Sequence, residues 1–163
     1  MEEIFYGSTH NHTDYSNFRL RDCIIKLKDL CEYTAEIGHK FVTITDHETI
    51  ASSIACQEIE QEIRKKYPYF KVIRGNEIYL CRNGLNSENF VRGQDKYWHF
   101  ILIAKDEIGH KQLRELSTKA WLRSYKTGKM IRVPTYYSDL EEIVKSNQGH
   151  LIAQSSYLGS FLD

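Results

Sequence analysis

The run Phe41-Val42-Thr43-Ile44-Thr45 constrains this chain more than any other stretch, because it is β-branched and apolar on both faces. Such a strand needs cover on both sides, the environment of a parallel sheet with helices packed against each face. Helical periods flank it. In residues 24–37, Leu27, Leu30, Cys31 and Thr34 recur at helical spacing up to a stop at Gly38, and in residues 50–66 Ile54, Ile59 and Ile63 do the same before Pro68. A short strand over residues 4–8 precedes the first helix and a longer one over residues 70–80 follows the second. Residues 82–96 are polar, aperiodic and hold Gly84 and Gly93, so they form a loop to a strand at residues 98–104, with which residues 70–80 can form an antiparallel hairpin. A helix over residues 108–124, with Leu113, Leu116 and Ala120 on one face, a helix over residues 139–146 and a strand over residues 150–153 complete the pattern. The order predicts an α/β domain with mainly parallel strands alternating with helices, as an open sheet or a barrel.

Length and charge narrow the function. The 163 residues predict one domain, 1–163. Lys plus Arg equals Asp plus Glu at 22 each, so no global basic field draws in nucleic acid, and any such partner must be held locally. The apolar run from Phe100 to Ala104 is far short of the roughly 20 residues a membrane helix needs, and the start Met1-Glu2-Glu3-Ile4 lacks the basic and apolar regions of a secretory signal. A cytoplasmic protein with no membrane partner is expected. Cys23, Cys31, Cys56 and Cys81 are irregularly spaced without a C-x-x-C, as reduced structural thiols would be.

The histidines carry the chemistry. In a strand-like segment residues two apart point the same way, so His10 and His12 can offer two imidazoles to one ion. Asp46-His47 follows directly on the 41–45 strand, at the end where parallel α/β folds gather ligands. Glu77 lies within the third strand, as an outward polar position or an inward carboxylate; the hairpin would bring it near His99. A carboxylate bridging two ions between imidazoles is the arrangement of two-metal phosphoesterases, and the donor types suit Zn, Mn or Fe.

His10-Asn11-His12-Thr13-Asp14-Tyr15-Ser16, Ile44-Thr45-Asp46-His47-Glu48, Gly75-Asn76-Glu77-Ile78-Tyr79 and His99-Phe100-Ile101-Leu102-Ile103-Ala104-Lys105 resemble successive motifs of the PHP (polymerase and histidinol phosphatase) domain. Leu113-Arg114-Glu115-Leu116-Ser117, Arg132-Val133-Pro134 and Gly149-His150-Leu151-Ile152-Ala153 are similar to later segments of the N-terminal PHP domain of bacterial DNA polymerase III α subunits. The resemblance implies a distorted TIM-like barrel carrying up to two or three divalent ions. By it, His10 and His12 match ligands of the first ion, Glu77 a bridging carboxylate, His99 a ligand of the second ion and His47 one of the third. Asp46 and Glu77 are then the catalytic carboxylates, with Asp46 orienting an imidazole. Asp22 fills the position of a further acidic ligand, the alternative being the N-cap of the 24–37 helix.

Two departures stand out. Tyr157 replaces a thiol of the family pattern, and the chain stops at Asp163, before the family's final Asp-x-His ligands and the polymerase domains. The metal site is therefore expected to be incomplete, polymerase activity is not expected, and a barrel lacking its last strands would expose apolar edges. His39, His110 and His150 take no role. Residues 105–132 are rich in Lys and Arg, so Lys119, Trp121, Arg123 and Tyr125 form either a nucleic-acid contact or a solvated helix face.

Three functions follow from the resemblance. The first is a metal-dependent phosphoesterase module of a DNA polymerase III α subunit, a hydrolase acting in DNA replication on DNA or another phosphoester, with possible 3′–5′ exonuclease proofreading. The second is a catalytically silent PHP piece serving as a structural or interaction module of a replicative polymerase assembly. The third is a free-standing small-molecule phosphatase.

Overall fold

A computed structural model describes residues 6–128 and 130–156. Its main sheet has six strands: β1 (Gly7–Ser8), β2 (Phe41–Ile44), β3 (Lys71–Cys81), β4 (Trp98–Ala104), β7 (Thr135–Tyr136) and β8 (Leu151–Ser155). The spatial order is β1-β2-β3-β4-β8, with β7 paired to the far end of β3. The β1–β2, β2–β3 and β3–β7 pairings are parallel, whereas β3–β4 and β4–β8 are antiparallel. The sheet is thus mixed, a curled half-barrel in which the parallel half carries the strand ends of the site.

Helices α1 (Leu27–Glu36) and α2 (Ser53–Ile63) cover the parallel half, and α3 (Glu107–Leu122) and α4 (Tyr137–Ser146) cover the antiparallel half. Two apolar cores result: Leu27, Cys31, Val42, Ile44, Cys56 and Phe70 in the first, and Ile78, Leu80, Leu102, Leu113, Leu116 and Ile143 in the second. Strand β3 belongs to both, which explains its length. Gly75 marks the crossover, since a Cβ there would stand 2.8 Å from the Leu102 carbonyl oxygen and 2.9 Å from Thr45 Cγ2.

The structure shifts several predicted bounds. Helix α1 begins at Leu27 with Lys26 as its N-cap residue, so Asp22 does not cap it. Residues ahead of the helix are held extended instead: Asp14 N–H donates to the Ile25 carbonyl, and the Asn17 side chain bonds both the N–H and the carbonyl of Cys23. Ile54 is exposed rather than on the apolar face of α2, where Cys56 and Ile63 are the buried residues. A small hairpin of β5 (Tyr125–Thr127) and β6 (Met130–Arg132) and the two-residue β7 have no counterpart in the expected pattern, being too short and polar to show a period. Of the predicted first strand, residues 4 and 5 lie outside the described residues, as does Tyr157.

Candidate metal centre

The sheet brings the front motifs together where the chain leaves β1 and β2, beside Glu77 in the interior of β3. The chain leaves β1, and Asn11 is fixed to the neighbouring strand by its side-chain amide donating to the Thr43 carbonyl and its carbonyl accepting from Thr45 N–H. That anchor sets His10 and His12 on either side of it. After β2, residues 46–48 continue alongside β3 as a bridge: Glu77 N–H donates to the Asp46 carbonyl and Glu48 N–H to the Glu77 carbonyl. Glu48 pays with a left-handed φ of 57°, uncommon for a residue other than glycine.

Glu77 is the centre, with no exposed surface. Its Oε2 lies 2.7 Å from His10 Nε2 and 3.0 Å from His12 Nε2, and these two nitrogens are 2.9 Å apart. Its Oε1 lies 2.6 Å from His99 Nδ1 and 3.5 Å from His47 Nδ1. His99 arrives because β4 pairs antiparallel with β3, His99 opposite Tyr79. Burial alone would push the Glu77 carboxyl up, but hydrogen bonding from His10, His12, His47 and His99 outweighs it and holds the carboxyl far below the usual carboxylate range.

Partners behind the imidazoles fix their orientation. His12 Nδ1 is 3.2 Å from the Ser16 hydroxyl, which donates to Asp46 Oδ1 at 2.9 Å. Asp46, buried, also accepts from the Thr13 N–H at 2.6 Å and from the Thr13 hydroxyl at 3.0 Å. It reaches the cluster through Ser16. His47 stacks on His12 with ring centroids 4.0 Å apart; its Nδ1 is 3.2 Å from the Tyr79 hydroxyl and its Nε2 3.4 Å from Asp22 Oδ2. Asp22, half exposed, therefore sits on the outer side of His47.

These donors fit a divalent cation. The Ser16 hydroxyl donates to Asp46, so His12 Nδ1 carries the proton that meets Ser16, and in the neutral ring its Nε2 is a lone pair facing Glu77 Oε2 with no proton between them. Together with Glu77 Oε2 the Nε2 atoms of His10 and His12 form a triangle with edges of 2.7, 2.9 and 3.0 Å. A tetrahedral ion with bonds of about 2.0 Å needs edges of roughly 3.3 Å, a spread of a few tenths of an ångström that exposed imidazole edges can make. The other carboxylate oxygen, with His99 Nδ1 and His47 Nδ1 near it, offers a second group of donors across the same bridge.

Sequence reasoning passed over four residues here. Ser16 and Thr13 lie inside the His10–Ser16 motif, whose histidines alone signal metal chemistry. Tyr79 is two residues from Glu77 on one strand, so period-2 alternation puts both on one face and could have found it. Arg19 gave no signal. Lys119, Trp121, Arg123 and Tyr125 are each engaged with the protein itself: Lys119 with Glu142, the Trp121 indole N–H with the Glu48 carbonyl, Arg123 with Asp139, and Tyr125 with the Tyr97 hydroxyl.

The chain is similar to proteins already known. The family model described as the PHP domain matches residues 8–162. The probable DNA polymerase YorL of Bacillus subtilis (strain 168) is 40% identical over 156 residues, covering 93% of this chain and 12% of the relative. The DNA polymerase III subunit alpha of Aquifex aeolicus (strain VF5) is 31% identical over 166 residues, covering 85% of this chain and 13% of the relative. This chain thus spans about an eighth of the length of those relatives. A crystal structure of a Bifidobacterium adolescentis protein, provisionally described as a metal-dependent phosphoesterase, superposes with a TM-score of 0.43 at 22% identity, covering 75% of this chain and 36% of that one.

Proposed function

The chain belongs to the PHP domain family, and from that premise we propose that it is a metal-dependent phosphoesterase module of a replicative DNA polymerase. The observation that carries the reading is Glu77, a fully buried carboxylate ringed by four imidazoles at 2.6–3.5 Å. Burying that carboxylate is costly, and imidazole nitrogens converging on it from separate segments of the chain are the donor types a divalent cation takes.

A divalent cation held by His10, His12 and Glu77 would supply Lewis-acid polarisation of a phosphoryl oxygen and an acidified water as nucleophile. The chain's own residues do the rest. Glu77 sets the negative charge that makes the centre selective for cations. Asp46, acting through Ser16, locks His12 in one orientation, and Asp22 does the same from outside for His47. The Tyr79 hydroxyl, 3.2 Å from His47 Nδ1, holds that imidazole from within the sheet.

The test is hydrolysis of bis-p-nitrophenyl phosphate and p-nitrophenyl phosphate with added Mn²⁺, Zn²⁺ or chelator. The expected result is metal-dependent turnover that disappears in His12→Ala and Glu77→Gln. A second reading, a catalytically silent module supporting a polymerase, draws on the polymerase relatives. It is favoured over the first if both variants bind no less metal than the parent and no phosphoester is turned over.

A further inference from the structure

Among the described residues, Arg19 is a buried charge that finds no acceptor for two of its three nitrogens. The residue is 6% exposed, and its Nε and Nη1 have no hydrogen-bond partner among the described residues. Its guanidinium lies 3.8 Å above the centroid of the Tyr79 ring. That ring is no neutral spacer: its hydroxyl reaches His47, and its centroid lies 4.3 Å from that of the His99 ring. Arg19 is therefore one aromatic ring away from the imidazoles around Glu77. Glu48, whose field reaches Arg19, gives its Oε1 to the Tyr79 N–H and makes no hydrogen bond or ion pair with Arg19 among the described residues.

Arg19 also lines an open groove of about 660 Å³ between residues 17–21 and the β5–β6 hairpin. Arg21 and Lys126, both exposed, line the same groove, and none of its lining residues is acidic. Phe18, 63% exposed, adds an apolar ring to its wall. A buried guanidinium without an acceptor is costly to keep, and three cations without an acid answer a doubly charged or repeated anion better than a single carboxylate. An exposed aromatic ring beside them suits a base attached to that anion.

We propose that Arg19, with Arg21 and Lys126, forms an anion subsite beside the imidazole cluster that takes a phosphate group of the substrate. It rests on the phosphoester reading above and deepens it by adding a second phosphate contact one aromatic ring away from the imidazole cluster. The group taken is either a terminal phosphate or an internal phosphodiester of a polynucleotide strand.

The experiment follows the melting temperature of the whole chain against inorganic phosphate and against a single-stranded trinucleotide, in chelator and in Mn²⁺, for the parent and Arg19→Met. In the parent, phosphate raises the melting temperature. In Arg19→Met, phosphate affinity falls at least about tenfold, the low end for a lost charge-assisted contact. Without phosphate, Arg19→Met melts no lower than the parent, because an apolar chain of similar length replaces an unanswered buried charge. A parent blind to both probes, an unchanged phosphate response in Arg19→Met, or a collapse of its fold in phosphate-free buffer each overturns the subsite, the last by making Arg19 a structural group. Arg21→Ala and Lys126→Ala, at exposed positions, are expected to weaken phosphate a few-fold, and no effect from either removes the groove from the proposal. A stronger response to the trinucleotide than to phosphate identifies the diester as the source, and the reverse identifies the terminal group. Mn²⁺ titration of the same proteins tests the metal reading separately: failure to bind metal sinks that reading, whereas intact metal binding with an unaltered phosphate response sinks the subsite alone.

Discussion

Replacing Asp46 by Asn tests whether a buried carboxylate that touches no phosphoester still governs the site. Asp46 accepts from the Thr13 N–H, the Thr13 hydroxyl and the Ser16 hydroxyl. Asn keeps the volume and one acceptor oxygen but removes the charge and turns the other oxygen into a donor. A hydrogen bond to a charged group contributes about 1.5–3 kcal/mol and a neutral one about 0.5–1.5 kcal/mol, so each of three bonds weakens by roughly 1 kcal/mol. The sum, about 3 kcal/mol, is an upper bound because Asn no longer buries a charge; a loss of about 2 kcal/mol is expected. At roughly 2–4 °C per kcal/mol for a domain of this size, the melting temperature falls by about 4–8 °C. The Ser16 hydroxyl, released from Asp46, no longer orients His12, and metal affinity should drop about 10–100-fold, as for other residues that position ligands. Thermal melting and metal titration of Asp46→Asn read both effects. A normal melting temperature with normal metal affinity would refute the coupling from Asp46 through Ser16 to His12.

Gly109→Ala sets propensity against packing: alanine should stabilise the first turn of α3 by about 1 kcal/mol, yet a Cβ there would stand 2.1 Å from the His150 carbonyl oxygen. A lower melting temperature is expected, and a higher one would contradict the close approach of α3 to the chain entering β8. Among the thiols, Cys23 is half-buried while burial pushes Cys31 up to about 12, Cys56 to about 11 and Cys81 to about 12. Alkylation of the native protein near neutral pH should therefore label Cys23 first, and mass spectrometry showing Cys31 or Cys56 labelled as fast would contradict the first core.

What the sequence made legible was what periodicity and alternation encode. The doubly apolar 41–45 run marked β2 as a covered parallel strand, and the aperiodic 82–96 stretch marked the turn of the β3–β4 hairpin. From that hairpin the nearness of Glu77 and His99 followed, and the structure shows it at 2.6 Å. The helical pattern misled at Ile24, which is 97% exposed, because side-chain bonds from Asn17 hold the preceding chain extended, and nothing local announces such bonds. The inward direction of Glu77 was open for the same reason: a strand's pleat gives two faces, and only the sheet's curl decides which one closes on the histidines. Arg19 was invisible because its place depends on the ring of Tyr79, sixty residues later in sequence.

The central claim is that His10, His12 and Glu77 hold a divalent cation. The most direct measurement is metal content per chain by elemental analysis, after incubation with Zn²⁺ or Mn²⁺ and dialysis, for the parent beside Glu77→Gln. Glutamine preserves the shape and removes the charge, so a folded variant that lost metal would locate the ion at this carboxylate. The expected result is about one or two ions per parent chain, largely lost in Glu77→Gln. Equal metal in both proteins, or none in either, would contradict the claim.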